Sequence, residues 1–438
     1  MPWHLPADRV EPLLQSLDSD RETDTRAAWD WLTASGDAPQ VDLFHLEYFL
    51  WYQLPAKFLT DLQHRRAVAT ALADLLSELG HEDAAAVCRG TVTMRVLAEW
   101  DRSSDAGHRA FRKALTDSGV DPPDTDAMAW GGYMGAAESL AFDGAAAWLE
   151  EAIGRGEFTP GAKGWKAAQA EVVRRFLITP CQALDGRTPE AAVADERREF
   201  WALRPGQPLR TSFLEGGLPQ LVSAPAVPQG IGHAIAPLLR LLEVAGAKPR
   251  LTPSGYLPPA AVRTLARDLG WWREESEPRS EADVYQISTL REFANQAGLV
   301  RRAQAFLTLT EVGRRALSDS DLLWERVTRT LAVGDHFSSA LRELLLARLL
   351  KGDGDLGTID GELLPLLAEA GWRPTEALEL TEEMVSYRLW DAIRPMDLLG
   401  MIEVAPWPDR RVRLTDVGRP AALTVLRYRS TAPRQSIL

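Results

Sequence analysis

The stretch AGLVRRAQAFLTLTEVGR, Ala297–Arg314, is written a second time further along as LLGMIEVAPWPDRRVRLTDVGR, Leu398–Arg419. Alignment sets Gly298 against Gly400, Leu299 against Met401 and Val300 against Ile402, and it pairs LTEVGR (Leu309–Arg314) with LTDVGR (Leu414–Arg419). Each copy reads as a helix stopped by a left-handed glycine, a β-prone run, a polar middle and a second β-prone run. The polar middles, RRAQ and APWPDRR, predict the tip of a two-stranded hairpin. Thr310 and Thr415 then predict an N-cap, followed by an acid suited to the positive end of the next helix. The glycine-to-LT spacing is 11 residues in one copy and 14 in the other. A longer hairpin tip absorbs that difference at little cost.

Upstream, LLRLLEVAGAKPRLTPSGYLPPAAVRTLARDLGW (Leu238–Trp271) predicts a helix, a brief strand and a second helix, with Leu251–Gly255 a shorter echo of the LT motif. VYQISTLREFANQAG (Val284–Gly298) supplies the helix before the first hairpin. The predicted order is therefore helix, strand, helix, helix, hairpin, helix, each copy sealing a small core of its own. This order, with FLTLTEVGRRAL and VRLTDVGRPAAL at the junctions, resembles the winged-helix superfamily, whose bacterial regulators carry LTxxGR between wing and last helix. The chain is also similar to a group of uncharacterised actinobacterial proteins sharing LTxxGYLP followed by AGLV. The likeness covers roughly 231–320 and 336–428.

The resemblance implies two winged-helix-like domains in tandem, double-stranded DNA as a partner, and a role in transcription regulation. In such folds the helix before the hairpin enters the major groove while the wing touches backbone or minor groove. In the first copy that helix offers Gln286, Ser288, Thr289, Arg291, Asn295 and Gln296; the wing adds Arg301 and Arg302, followed by Arg314 and Arg315, with Arg263 and Arg267 on the preceding helix. In the second copy Glu382, Glu383, Asp391 and Asp397 repel phosphate and Pro395 interrupts the last turn. Its wing tip, with Trp407, Arg410, Arg411 and Arg413, reads as a protein-contact knob or, alternatively, as a minor-groove wing. The alternative function is thus a protein–protein interaction scaffold using both copies as docking modules.

The remainder bounds these expectations. A chain of 438 residues exceeds one ordinary core. Residues 1–204 read as an all-helical bundle: KFLTDLQHRRAVATALADLLSELG places Leu59, Leu62, Val68, Leu72, Leu75 and Leu79 on one face, and Thr188-Pro189 opens another helix. Five prolines in 205–230 predict a linker, leaving 231–320 and 321–438 as the two winged-helix-like repeats. The fold class expected is mainly α. Net charge is −13, of which −12 lies in residues 1–228, while 229–318 carry +3. A chain so acidic does not coat nucleic acid indiscriminately. Only 6 of the 49 basic residues are lysine, so arginine abundance reflects composition and is a weak sign of phosphate binding.

Enzyme chemistry finds no support. The seven histidines show no HExxH or other metal spacing, and there is no phosphate-cradling glycine loop or GxSxG elbow. In KGDGDLGTIDGELL, Gly357 and Leu364 occupy positions where a calcium loop needs oxygen ligands. Asp42 and His45 share a helical face and read as a cap, and Cys88 and Cys181 cannot build a metal cluster. The expectation is a non-enzymatic cytoplasmic protein with no cofactor, no metal and no membrane span.

Overall fold

Apolar residues recurring every three or four positions turn Leu62–Glu78 into a helix whose Val68, Leu72 and Leu75 point inward, and Asp61 caps it by accepting the His64 N–H at 2.8 Å. The computed structural model describes residues 3–435 apart from 5, 6, 17, 18, 34–39, 59, 60, 205, 230, 273–275, 334, 335, 375–378, 407 and 408. It is mainly helical with small antiparallel sheets and divides into two units, 1–196 with 433–438, and 197–432.

In the first unit, helices bury Trp29, Trp51, Leu72 and Leu97 in one cluster and Leu149, Val173 and Phe176 in another. A π-helical turn, Phe49–Gln53, buries Phe49, Leu50 and Trp51 together, and Trp51 Nε1 donates to Thr93 Oγ1 at 2.8 Å. Among the described side chains of this unit tryptophan serves packing, with Trp31 the exposed exception at 46%. The chain end returns to this unit: the Tyr133 N–H donates to the Arg434 carbonyl at 3.0 Å, and the Arg434 guanidinium reaches Glu196 at 3.5 Å. The domain boundaries therefore differ from those read in the sequence: the first division falls at 196/197 rather than 204/205, and residues 433–435 leave the second copy.

The second unit begins where the linker is expected, yet Pro208–Glu215 forms a helix (α1), and its Leu214 joins Leu221 in the unit's core. The Glu369 carboxylate accepts the Leu209 and Arg210 amides, both at 2.9 Å, satisfying the open end of α1. Next come α2 (Ala236–Gly246), α3 (Pro259–Asp268), α4 (Tyr285–Gln296), β1 (Val300–Ala303), β2 (Phe306–Leu309), α5 (Glu311–Ala316) and α6 (Ser320–Ala332). A second series follows: α7 (His336–Leu350), β3 (Gly354–Asp355), α8 (Leu356–Glu369), α9 (Glu382–Leu398), β4 (Ile402–Val404), β5 (Arg411–Leu414) and α10 (Gly418–Ser430). Pro395 does not interrupt α9; the Leu399 N–H still reaches the Pro395 carbonyl at 3.1 Å.

Both predicted hairpins form. β1 pairs antiparallel with β2 from Val300↔Leu309 to Ala303↔Phe306, and β4 with β5 from Ile402↔Leu414 to Val404↔Val412. In each case the segment after the leading helix adds to the second hairpin strand: Arg250 bridges Phe306, and β3 pairs with β5 at Gly354↔Val412.

The reason for the shared wording is visible in atoms. Gly298 and Gly400 hold φ of +68° and +60°, ending their helices in the left-handed region. Thr310 Oγ1 donates to the Gly298 carbonyl at 2.6 Å and accepts the Gly313 N–H at 2.9 Å; Thr415 Oγ1 donates to the Gly400 carbonyl at 2.7 Å and accepts the Gly418 N–H at 2.9 Å. Threonine thus ties the helix stop to the next helix start. A Cβ on Gly313 would lie 1.9 Å from the Leu299 oxygen, and one on Gly418 1.7 Å from the Met401 oxygen.

The two small cores expected from the sequence are instead one. A continuous apolar cluster runs from Trp201 to Leu426, because α4 packs on α9 and α6 on α10. Neither series buries its apolar faces alone.

Candidate nucleic-acid interface

The residues singled out for duplex contact gather around α3, α4 and the β1–β2 hairpin, but most of their charge is already answered. Arg263 and Arg267 share Glu277, at 3.1 and 3.7 Å. Arg291 Nε donates to Glu281 at 2.8 Å; that carboxylate is fully buried and Ser280 caps the short turn carrying it. Arg314 pairs with Glu311 one turn away, which holds the Glu311 carboxyl below its usual range. Gln286 and Thr289 are half-buried. The open face of α4 presents Tyr285, Glu292, Asn295 and Gln296, with an acid at its centre. This face is poor in cations, since the arginine it was expected to offer leans back on Glu281.

Arg301, Arg302 and Arg315 remain. All three are exposed, and among the described residues none has a carboxylate partner. Neighbouring strand residues point to opposite faces, so Arg301 and Arg302 put one guanidinium on each side of the ribbon. Gln304, with φ +55°, turns the tip, and Arg302 Nε donates to its carbonyl at 3.0 Å.

In the second series Trp407 lies outside the described residues. Arg410 is not a free tip cation: its guanidinium sits 3.6 Å from the buried Asp360. Arg411 folds onto Asp409 at 2.6 Å and Arg413 onto Glu403. An open pocket of about 450 Å³ beside this hairpin is lined by Asp353, Asp397, Glu403, Arg411 and Arg413, a mixed-charge wall unsuited to phosphate.

Sequence reasoning missed an aromatic surface. Tyr387 is 70% exposed on α9, with Met384 and Trp390 beside it, and Tyr285 on α4 lies under the Arg394 guanidinium at 5.6 Å. The signal was an apolar residue falling off the buried stripe of Val385, Leu389, Ala392 and Ile393, legible only once that stripe is fixed.

Asp42 and His45 behave as a cap: Asp42 Oδ1 accepts the His45 backbone N–H at 2.8 Å and meets its ring Nδ1 at 2.7 Å, raising the imidazole pKa. Among the described residues no group of His, Cys, Asp and Glu is arranged to hold a metal, and no helix is long and apolar enough to cross a membrane. No family model, curated protein or solved structure matches the chain.

Proposed function

We propose that the second unit is a pair of winged-helix-like modules and that the first holds duplex DNA by its hairpin, in a cytoplasmic regulatory role. The observation that carries this reading is the pair Arg301 and Arg302, exposed on opposite faces of one ribbon and free of carboxylates among the described residues. A ribbon of that form suits a groove with phosphate on both walls. Arg315 extends the same positive edge, and the exposed pairs of Arg267 and Arg314 are weak enough to exchange for phosphate. α4 contributes little direct reading of bases, so contact is mainly to backbone and sequence preference is low.

The test is duplex binding by fluorescence anisotropy across salt. Three phosphate contacts give a slope of about −3 in log K against log salt. Arg301→Ala with Arg302→Ala flattens that slope to about −1 and weakens binding to every sequence alike. No measurable binding at about 50 mM salt, or an unchanged slope in the double variant, overturns the reading.

A second reading, docking of a protein partner, rests on the exposed Tyr387, Trp390 and Met384 of α9, residue types enriched at interfaces. Tyr387→Ala then removes a co-purifying protein while DNA binding persists; retention of that protein by the variant excludes this face.

A further inference from the structure

In the first unit a glycine-rich loop receives a distant stretch of the same chain. Trp130–Gly135 reads WGGYMG and leads into the helix Ala136–Gly154. None of its three glycines holds a positive φ, so no left-handed turn calls for them. What each omits is a Cβ where Pro433–Gln435 lies. One on Gly131 would stand 2.8 Å from the Arg434 carbonyl oxygen, and one on Gly132 3.3 Å from Gln435 Oε1. One on Gly135 would stand 2.5 Å from both Arg434 Nη2 and the Glu196 carboxylate. The Tyr133 N–H donates to that same Arg434 carbonyl at 3.0 Å.

The arginine side chain enters a pocket built by residues of the loop and helices around it. Glu138 is fully buried; its Oε1 accepts the Gly131 N–H at 2.8 Å, and its Oε2 lies 3.9 Å from Arg434 Nη2. Glu196 accepts the Ala137 and Glu138 amides at 2.8 and 3.2 Å, at the open end of the helix, and lies 3.5 Å from the same nitrogen. The guanidinium sits 5.7 Å from the centre of the Tyr133 ring, and only 10% of the Arg434 side chain reaches solvent. Two acids are thus fixed by backbone bonds of their own, and the cation comes from elsewhere in the chain. A carboxylate as deep as Glu138 is costly without a cation. Two carboxylates beside an aromatic face suit a planar guanidinium better than an ammonium. Residues 433–435 belong to no helix or strand, so their departure breaks neither.

We propose that Gly131–Gly135, with Glu138 and Glu196, is a binding slot for an arginine carried in an extended peptide. Pro433–Gln435 fills it as an internal ligand, which an arginine-bearing segment of a protein partner displaces. One main-chain bond sets the register of the peptide, the missing Cβ atoms let its backbone approach, and the paired acids select its side chain. The slot stands independently of the DNA reading.

The experiment is fluorescence anisotropy of a labelled peptide, TAPRQSIL (the sequence of Thr431–Leu438), titrated with the full chain. In the unaltered protein the tethered segment competes, so half-saturation is expected near its effective concentration, about 1 mM. Arg434→Ala empties the slot and should bind the peptide at least about tenfold more tightly. Gly135→Ala, whose Cβ would occupy the place of the guanidinium, should lose the peptide, and a peptide with alanine in place of its arginine should bind none of these chains. Absence of uptake by the unaltered chain overturns the proposal whether or not Arg434→Ala folds. So does equal affinity of folded Arg434→Ala and the unaltered chain, retention of the peptide by Gly135→Ala, or equal binding of the alanine peptide.

Discussion

Replacing Gly313 by alanine tests the account of the repeated stretch most directly. The new Cβ would sit 1.9 Å from the Leu299 carbonyl oxygen, a backbone atom that cannot rotate aside. Relief needs a shift of roughly 1 Å or more in a packed interior. That movement strains the Thr310 bridge, whose hydroxyl accepts the Gly313 N–H at 2.9 Å and donates to the Gly298 carbonyl at 2.6 Å. It also strains the bond from the Thr310 N–H to the Leu299 carbonyl, at 3.0 Å. A lost cap is worth about 1 kcal/mol, a lost backbone bond about 1, and overpacking about 1–3, so Gly313→Ala should cost about 3–5 kcal/mol. Gly298→Ala provides the scale: its Cβ meets nothing within 4 Å, and only the +68° φ opposes it, at about 1–2 kcal/mol. Urea unfolding followed by tryptophan fluorescence measures both, since Trp324 is buried in the same core. Gly418→Ala, with its Cβ 1.7 Å from the Met401 oxygen, should match Gly313→Ala. If Gly313→Ala costs no more than Gly298→Ala, close approach is not why glycine stands there.

Arg210→Ala strands the buried Glu343 with one partner and should cost about 3–5 kcal/mol in urea unfolding; a loss below about 1 kcal/mol would mean the pair is solvated. Burial, reinforced by Glu150 and Asp121, pushes the Glu47 carboxyl up to about 8 from its ordinary 4.5, against a hydrogen bond with Ser118. The folded state therefore keeps a proton that the unfolded chain releases, so this contribution is whole below pH 4.5 and is lost as pH climbs to 8. The loss is at most about 5 kcal/mol, and Glu47→Gln should flatten the fall in urea midpoint between pH 5 and 8; an unchanged profile refutes the assignment. Burial raises the Cys88 thiol to about 12, whereas Cys181 is half-exposed, so a thiol reagent should label one cysteine in the native protein and both in denaturant.

What the sequence disclosed was local. The close approach of Gly313 to the Leu299 oxygen is visible only in the fold, but Gly298 and Thr310 are joined by one short hairpin, and their pattern predicts a stop and a cap. The same holds for the helix Leu62–Glu78, whose inward face is a matter of period. Partners distant in sequence stayed hidden. Glu343 lies 133 residues from Arg210, and Glu138, fully buried, is approached by Arg434 at 3.9 Å. No periodicity announces such pairs. The single core of the second unit was hidden for the same reason: α4 and α9 each show one apolar stripe, and a stripe does not say which helix will cover it.

Electrostatic partners also rank the candidate cations, which the sequence could only count. Among the described residues, Arg301, Arg302 and Arg315 have no carboxylate to leave. Arg314 and Arg267 would exchange an exposed acid for a phosphate at little cost, because both partners rehydrate. Arg291 is different: its partner Glu281 is fully buried, and releasing it leaves a charge inside the protein with one oxygen already unsatisfied. Arg291→Ala should therefore weaken any DNA complex by loosening α4, with a lowered unfolding midpoint and an unchanged salt slope. Arg301→Ala should do the reverse, leaving the midpoint alone and flattening the slope by about 1. If Arg291→Ala changes the slope and not the stability, its guanidinium contacts phosphate and the pairing with Glu281 gives way on binding.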